Sequence, residues 1–452
     1  MHNIFVIGAR RNQRRRPIEP LAAGSKGDRR QEGISDELYT WRRVVVRTAF
    51  ATAVAFTVQL GPSQAQISAT GLDDVLRPSE HVVYTETNDV TNAILAFRRD
   101  DVGRLTLLSG APFPTGGKGV VDSSFKLGPL DTDQNVLIDY DRRLLFAVNS
   151  GSNSIAVFRI RPHDGSLEPV RGSPFPSGGI NPVSIGLRGD QIVIINQEMD
   201  PAQNVLGALP SIVTRHVTAD GRMVKFPDDT MIPLPAGSAP SQALTANDRP
   251  FVFDAEFLGG QLASYRLFPN GLLTANSPQP LPASESVGAA APLPLGLWAN
   301  PDARQLYVGF VTVNKVGVYT WDENGVPMFE RTVPNSGTAI CWLRTDRAGT
   351  RLYTANTGSS TVSVYDTTDP AEPKEIQAVS TSGPGALFQL ALDPTERFLY
   401  VIGQRGSHAA PGNALHVLAV DAENGTLNEV PSSPVPITTQ SLDARPQGVA
   451  VF

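Results

Sequence analysis

The sequence has 452 residues, a formal net charge of −6 and a single cysteine. Its 40 glycines, 37 prolines and 18% charged residues favour many short strands joined by turns over long amphipathic helices. One cysteine excludes an intramolecular disulfide and a cysteine-based zinc site.

Charge is unevenly distributed along the chain. The first 50 residues hold 11 of the 38 basic and 5 of the 44 acidic residues, which leaves 27 basic and 39 acidic residues, a net of −12, beyond residue 50. An acidic surface repels phosphate backbones, so we expect no nucleic-acid partner.

The first predicted element is an export signal over residues 41–65. Positive charge in Trp41–Arg47 precedes the uncharged run Thr48–Leu60, and Ser63 and Ala65 supply the small residues of a cleavage site. The 13-residue apolar run is shorter than the ~20 residues of a membrane-spanning helix, so cleavage after Ala65 is favoured over the alternative of a permanent anchor. We therefore expect a periplasmic or secreted protein with no stable membrane insertion after cleavage.

The predicted signal separates two further segments. Residues 1–40 are predicted to be a disordered arm or to precede the true translation start, and residues 66–79 a linker. Arg42 and Arg43 form a pair like that of a twin-arginine signal, so the sequence leaves open both that route and the general secretory route.

A repeat begins at residue 80. Its pattern is an apolar strand ending in a small polar residue, a Gly/Ser/Asn turn, an alternating strand and then an Asp/Asn-Gly turn. The stretches 144–158 and 351–365 show the strand–turn–strand part most clearly, and weaker copies complete the set. Seven copies end their strands at predicted residues Thr87, Asn149, Asn196, Asp254, Phe310, Asn356 and Gly403. A four-stranded sheet of this size cannot bury both faces alone, so seven such sheets are expected to pack radially.

The sequence thus predicts an all-β fold, a seven-bladed β-propeller over residues 80–452. The first blade lacks a leading strand, and Gly448–Phe452 has the pattern of one, so we expect this C-terminal strand to join the first blade and close the ring. A pair of β-sandwiches is the alternative architecture.

Several phrases of the repeat carry a family resemblance: RRLLFAVNSGSNSIAVFRI (142–160), DGSLEPVRGSPFPSGG (164–179), TRLYTANTGSSTVSVY (350–365), DPTERFLYVIG (393–403) and DAENGTLNEV (421–430). With these, residues 80–452 resemble the lactonase family of seven-bladed propellers, which includes 6-phosphogluconolactonases and carboxymuconate lactonizing enzymes. In that family the activity-bearing blade resembles Pro-Arg-His, an apolar strand, then Tyr-Val-x-Asn-Glu.

The corresponding stretch here departs from that pattern. It reads Pro240–Leu244 and then Phe251–Glu256, so Glu256 matches the glutamate with a one-residue ambiguity in the turn. Ser241 and Gln242 stand at the arginine and histidine positions, which removes a positive charge and an imidazole.

Candidate site residues follow from repeat position, because loops at one end of a propeller surround its axial channel. Glu256 and Glu198 are predicted as catalytic base and acid, since two nearby carboxylates can split their pKa values, and Arg405 is predicted as an anion contact. Further substrate contacts are predicted at Asn149, Asn196, Asp254, Asn356 and Gln242. The alternative is that the glutamates are solvated rim residues and the asparagines only stabilise turns.

The predicted function is that of a lactonase-like exported propeller that binds a small cyclic ester of the sugar-lactone type at the axial mouth, and the sequence leaves open whether it also hydrolyses this ester. The alternative is a non-catalytic ligand- or protein-binding propeller of the cell envelope. No cofactor is expected. No metal site is expected either, because no histidine pair shows helical ligand spacing and only His408 and His416 lie around one loop. A monomer is expected.

Overall fold

The computed structural model describes residues 81–121, 131–203, 205–246, 249–383, 385–405 and 412–452. The predicted arm, export signal and linker lie outside the described residues, as does His408. Within these ranges no helix is long and apolar enough to cross a bilayer. Apart from two 3-10 turns, Pro201–Gln203 and Ala283–Glu285, the regular elements of these ranges are strands.

The strands form seven antiparallel sheets, which we call blades 1 to 7. Blade 1 contains β1 (Val82–Glu86), β2 (Ala93–Arg99), β3 (Leu105–Leu107), β4 (Phe113–Pro114) and the C-terminal β33 (Gln447–Val451). Blade 2 contains β5 (Val136–Asp139), β6 (Leu144–Asn149), β7 (Ser154–Ile160), β8 (Leu167–Pro169) and β9 (Phe175–Pro176). Blade 3 contains β10 (Pro182–Arg188), β11 (Gln191–Asn196), β12 (Ser211–Val217), β13 (Met223–Val224) and β14 (Met231–Pro233).

The remaining four blades repeat this plan. Blade 4 contains β15 (Leu244–Thr245), β16 (Phe251–Glu256), β17 (Gln261–Leu267), β18 (Leu273–Ala275) and β19 (Gln279–Pro280). Blade 5 contains β20 (Pro294–Ala299), β21 (Gln305–Phe310), β22 (Lys315–Trp321) and β23 (Pro327–Pro334). Blade 6 contains β24 (Ile340–Thr345), β25 (Arg351–Asn356), β26 (Thr361–Asp366) and β27 (Lys374–Ser380). Blade 7 contains β28 (Ala386–Leu392), β29 (Phe398–Gln404), β30 (Asn413–Val420), β31 (Leu427–Glu429) and β32 (Val435–Ile437).

The blades form a closed ring around an axial channel. The inner strand of each blade contacts the inner strands of both neighbouring blades, in the order β33, β5, β10, β15, β20, β24, β28 and back to β33. The hydrophobic core is accordingly divided into seven clusters of buried side chains. The predicted all-β, seven-bladed propeller is confirmed.

The C-terminal strand closes the ring as predicted. It pairs antiparallel with β1, with Val83 opposite Val451 and Glu86 opposite Gln447. A buried ion pair joins blade 1 to blade 7, with Arg99 Nη2 3.0 Å from Asp393 Oδ2 and both side chains fully buried. The strand pairing removes the exposed sheet edge that an open ring would leave, and the ion pair fastens the two blades at the closure.

The recurrence of tyrosine and of Asp/Asn-Gly turns has a common structural reason. The Tyr84 hydroxyl of blade 1 donates to the Gly165 carbonyl in a turn of blade 2, at 2.7 Å, and Tyr353 of blade 6 donates likewise to Gly425 of blade 7, at 3.0 Å. Gly165 has φ +72, and a Cβ there would lie 3.0 Å from the Tyr84 hydroxyl. Glycine is therefore required both by the turn and by the neighbouring blade.

The strand ends differ from prediction in three blades. The second strands end at Glu86, Asn149, Asn196, Glu256, Phe310, Asn356 and Gln404. In blade 4 the predicted end, Asp254, is two residues early, because this aspartate is fully buried within the strand and only resembles a polar strand end in sequence. Position along the repeat therefore has to be assigned from hairpin pairing.

Candidate functional site

The axial channel has two ends that differ in how the chain forms them. We call the end at which the inner strands begin the mouth, and the end at which they turn back into the second strands the hairpin end. Trp342 and Arg344 are two residues apart on β24, as are Gln389 and Ala391 on β28, so each pair lies on one face of its strand. The first member of each pair lies nearer the mouth and the second nearer the hairpin end.

A short stretch of chain, Asp131–Asn135, crosses the channel near the mouth; we call it the axial segment. On one side it contacts blades 6 and 7: Trp342 Nε1 donates to Asp131 Oδ1 at 3.3 Å, Arg344 Nη2 donates to Asp133 Oδ2 at 3.2 Å, and Gln389 donates to the Thr132 carbonyl. These inward-facing side chains hold the segment across the channel.

On the opposite side the axial segment contacts blades 3 and 4. The Asp133 N–H donates to the Ser241 carbonyl at 3.3 Å, and Gln242 Nε2 donates to Gln134 Oε1 at 2.9 Å. Asn135 Nδ2 donates to the Val183 carbonyl at 2.7 Å. The segment thus links blades on both sides of the axis and fills the channel beneath the mouth.

The two aspartates of the axial segment are buried. Burial raises the pKa of Asp131 well above its ordinary value, although the Trp342 hydrogen bond and the nearby Arg445 oppose the shift. Burial also raises the pKa of Asp133, against the opposing effect of Arg344. Carboxyl groups with raised pKa values exchange protons closer to neutral pH, which is a property of catalytic acids and bases.

Backbone irregularities coincide with the mouth. The pairing register shifts near the start of the inner strand in blades 1, 3, 5, 6 and 7. A β-bulge re-aims the side chains that follow it and is common next to functional sites. In blade 6 the shift falls between Ile340 and Trp342, and the Trp342 indole is aimed at Asp131.

The structure brings four of the residues singled out in blade 4 together. Asp254 Oδ1 accepts from the N–H groups of Ser241 and Gln242, at 3.2 and 3.4 Å. Glu256 is 1% exposed, and its Oε2 accepts from Gln261 Nε2 at 2.5 Å. Burial raises the pKa of Asp254 well above its ordinary value, and Glu256 adds to this rise. Burial also raises the pKa of Glu256, which the Gln261 hydrogen bond opposes.

Neither residue at the arginine and histidine positions of the family motif is available to a ligand. Ser241 is fully buried, and its hydroxyl contacts the carbonyls of Ala255 and Leu295 at 3.0 and 2.7 Å. Gln242 is also fully buried and accepts from the Leu297 N–H at 2.7 Å, in addition to its bond to the axial segment. Both side chains connect blade 4 to blade 5, and Gln242 also connects it to the axial segment.

The hairpin of blade 4 resolves the one-residue ambiguity in the family motif. Glu256 pairs with Gln261 across a four-residue turn, as Asn356 pairs with Thr361 in blade 6. Glu256 therefore occupies the asparagine position of the motif, and Phe257 occupies the glutamate position. Sequence alone missed Phe257 because both the Asp and the Glu of this strand resemble polar strand ends.

The other predicted polar residues of the mouth, Glu198 and Arg405, are half-buried and lie in the loops after β11 and β29. Glu198 has φ +55 and lies two residues beyond the strand end, so it does not occupy the same repeat position as Glu256. The Arg405 N–H donates to Asn413 Oδ1 at 2.9 Å. Their predicted roles remain predictions.

The three predicted asparagine contacts are fully buried. Asn149 Oδ1 accepts from Asn92 of blade 1 at 3.1 Å, and Asn356 Nδ2 donates to Ser363 at 2.9 Å. The Asn196 side chain has no hydrogen-bond partner among the described residues. Asn149 thus links blade 2 to blade 1, and Asn356 joins two strands within blade 6. Their predicted roles as substrate contacts remain predictions.

The surface of the mouth above the axial segment is amphipathic. Phe257 and Val311, on blades 4 and 5, are partly buried and pack against a core cluster that includes Trp342. Arg405 and Arg445, from blade 7 and the loop leading into blade 1, are half-buried on the other side of the ring. An apolar side and a cationic side facing each other suit a small molecule with an apolar body and an anionic or carbonyl group.

The described residues contain no group of three or more His, Cys, Asp or Glu side chains placed to hold a metal ion. The only cysteine of the chain, Cys341, is buried, and burial raises the pKa of its thiol well above the ordinary value. A thiol with a raised pKa is a poor nucleophile.

Comparison with known proteins gives similarity in structure without similarity in sequence. No family model matches the chain, and no curated protein matches its sequence. A periplasmic gluconolactonase of Pseudomonas aeruginosa superposes with a TM-score of 0.60 at 16% identity, covering 82% of this chain and 99% of that one. A protein of Bacteroides uniformis described as a candidate 6-phosphogluconolactonase superposes with a TM-score of 0.60 at 16% identity, covering 82% of this chain and 98% of that one. A protein of Bacteroides fragilis with the same description superposes with a TM-score of 0.61 at 15% identity, covering 84% of this chain and 99% of that one.

These similarities concern the fold, since identities this low do not carry residue roles. They agree with the resemblance inferred from the repeat phrases. The chain therefore has the fold of the lactonase-like seven-bladed β-propellers.

Proposed function

We propose that this protein binds a small cyclic ester, of the sugar-lactone type, at the mouth of its axial channel. The observation that supports this most directly is the amphipathic mouth, where Phe257 and Val311 face Arg405 and Arg445 across the ring. A lactone has an apolar or weakly polar ring and a polarised carbonyl, which match these two sides. The shared fold with a gluconolactonase adds support.

Hydrolysis of the bound ester is the second candidate function, and one observation favours it. Asp131 lies at the mouth beside Trp342 and Arg445, with its pKa raised by burial. A carboxylate there can take a proton from water as the water attacks the ester carbonyl, and an arginine can stabilise the oxyanion that forms. Asp131 is 8% exposed and Glu256 only 1% exposed, and the Glu256 carboxylate is also bonded to Gln261, so Asp131 is the better placed of the two.

The test is a panel of sugar and aliphatic lactones, with binding followed by calorimetry and turnover by acid release. We expect the full-length protein to bind at least one lactone, and Arg405→Gln to weaken that binding by about tenfold, the effect of losing one charge-assisted hydrogen bond. Asp131→Asn is expected to abolish turnover and retain binding, whereas Glu256→Gln retains both.

The outcomes separate the two candidate functions. Binding without turnover across the panel leaves the ligand-binding function and removes the hydrolytic one. Absence of binding to every lactone contradicts the proposal itself. Loss of turnover in Glu256→Gln, with unchanged binding, contradicts the assignment of Asp131 and restores the base first predicted from the sequence.

We also propose that the protein acts after export. Support comes from the order of charged residues, apolar run and small residues in Trp41–Ala65. Fractionation of cells expressing the full chain, with N-terminal sequencing, tests this. A mature start at Gln66 agrees with the proposal, and an uncleaved cytoplasmic protein contradicts it.

A further inference from the structure

The hairpin end of the channel contains an open cavity of about 470 Å³. Its walls are mostly apolar and come from the ends of the inner strands, with side chains of Val136, Ile138, Trp298, Ala391, Val449 and Val451. A volume of this size is typical of small-molecule sites, and mostly apolar walls with few polar groups are typical of their composition. This cavity is separated from the mouth by the axial segment.

The acidic groups of the cavity wall are already engaged by the protein. Asp393 is in the buried ion pair with Arg99, at 3.0 Å. Asp346 Oδ1 accepts from the N–H groups of Thr350 and Arg351, at 2.7 and 3.0 Å, and stabilises its hairpin turn. Glu396 accepts from the Arg347 N–H. These carboxylates have structural roles and need no ligand.

Arg344 differs from these carboxylates because only some of its guanidinium N–H groups donate hydrogen bonds within the protein. Nε donates to the Leu390 carbonyl at 3.1 Å, and Nη2 donates to Asp133 at 3.2 Å. The guanidinium lies 3.9 Å from the centroid of the Trp298 ring. The described residues offer no hydrogen-bond acceptor to Nη1. The cavity wall therefore presents a fixed cation with spare donor capacity next to an aromatic surface.

We propose that the hairpin-end cavity binds a small organic carboxylate with a cyclic apolar body, whose carboxylate pairs with Arg344 in competition with Asp133. A guanidinium fixed by a carbonyl and an indole is pre-organised for a carboxylate, which it binds through two parallel N–H donors. The apolar body of the ligand covers the walls formed by the inner strands.

The competition has a structural consequence. Asp133 belongs to the axial segment, so a ligand that takes over Arg344 loosens one of the contacts that hold this segment across the channel. Binding at the hairpin end is thereby coupled to the mouth, through a side chain that contacts both. The proposal does not depend on which molecule the mouth binds.

The test is a calorimetric titration of the full-length protein with benzoate, and with benzamide as an uncharged probe of the same shape. We expect benzoate to bind at least about tenfold more tightly than benzamide, because a charge-assisted bidentate pair is stronger than a neutral contact. Arg344→Gln is expected to remove this preference, and Asp133→Asn to strengthen benzoate binding about three- to tenfold by removing the competitor.

Two further variants control for folding and for net charge. Ala391→Phe fills the cavity while leaving Arg344 in place, and it should abolish binding of both probes. Arg331→Gln removes an arginine from an exposed ion pair elsewhere on the molecule, and it should change nothing. Equal affinities for benzoate and benzamide, unchanged binding in Ala391→Phe, or weaker benzoate binding in a folded Asp133→Asn would each overturn the proposal.

Discussion

The two ends of the axial channel are formed by the same seven inner strands, yet they differ in what occupies them. Below the mouth, the axial segment Asp131–Asn135 fills the channel and is held by side chains of blades on both sides. At the hairpin end, the strands leave a cavity of about 470 Å³ with mostly apolar walls. The propeller therefore offers an amphipathic surface above a filled channel at one end and an open, mostly apolar cavity at the other.

This difference shows how one repeat can support two kinds of site. The blades themselves vary little, so the distinction arises from a single stretch of chain between blades 1 and 2 that turns into the channel. Arg344 contacts both regions, since it pairs with Asp133 and lines the cavity.

The largest effect on stability is expected from breaking the ion pair between Arg344 and Asp133. Arg344→Met leaves Asp133 buried without its cation and should lower the free energy of unfolding by about 3–5 kcal/mol. Combining it with Asp133→Asn removes the uncompensated charge and should recover much of the loss. Urea unfolding followed by tryptophan fluorescence measures both. Equal stabilities of the single and double variants would show that the pair does not hold the axial segment.

The fold could be predicted from the sequence because the strand and turn patterns that specify it are local and repeated. The strand pattern recurs seven times, Asp/Asn-Gly turns occur in five of the seven blades, and the C-terminal strand fits the gap that the first blade leaves. Gly165 is an example, because this one glycine serves both a turn and the contact with the tyrosine of the preceding blade. Gly425 does the same for Tyr353 between blades 6 and 7.

The site followed only in part, because it depends on contacts between residues far apart in sequence. Gln242 and Asp254 were predicted as substrate contacts, and the structure shows both fully buried and hydrogen-bonded within the protein, next to the axial segment. Asp131, Trp342 and Arg344 were not identified as a group, since no spacing relates a loop before blade 2 to a strand of blade 6. Phe257 was missed because the end of its strand could be assigned only from hairpin pairing.

A smaller effect is expected from pH at the mouth. Because burial raises the pKa of Asp131 in the folded state above its ordinary value of 3.8, its contribution to stability is complete below that value and is lost as pH rises through the folded-state pKa. The asparagine side chain of the Asp131→Asn variant does not titrate, so the variant does not lose this contribution. The free energy of unfolding of the variant, relative to that of the unmodified protein, should therefore rise as pH increases. Urea unfolding of both proteins at about pH 4, 6 and 8 measures the difference. A difference that is constant, or that grows toward low pH, contradicts a raised pKa.

The most direct test of a filled mouth end and an open hairpin end is the reactivity of engineered thiols along β28. In a Cys341→Ala background, Gln389→Cys places a thiol against the axial segment, and Ala391→Cys places one in the cavity, two residues away on the same face. We predict that an aromatic disulfide reagent modifies the thiol at position 391 rapidly in the folded protein and the thiol at position 389 only after unfolding. Equal rates at the two positions would contradict the account.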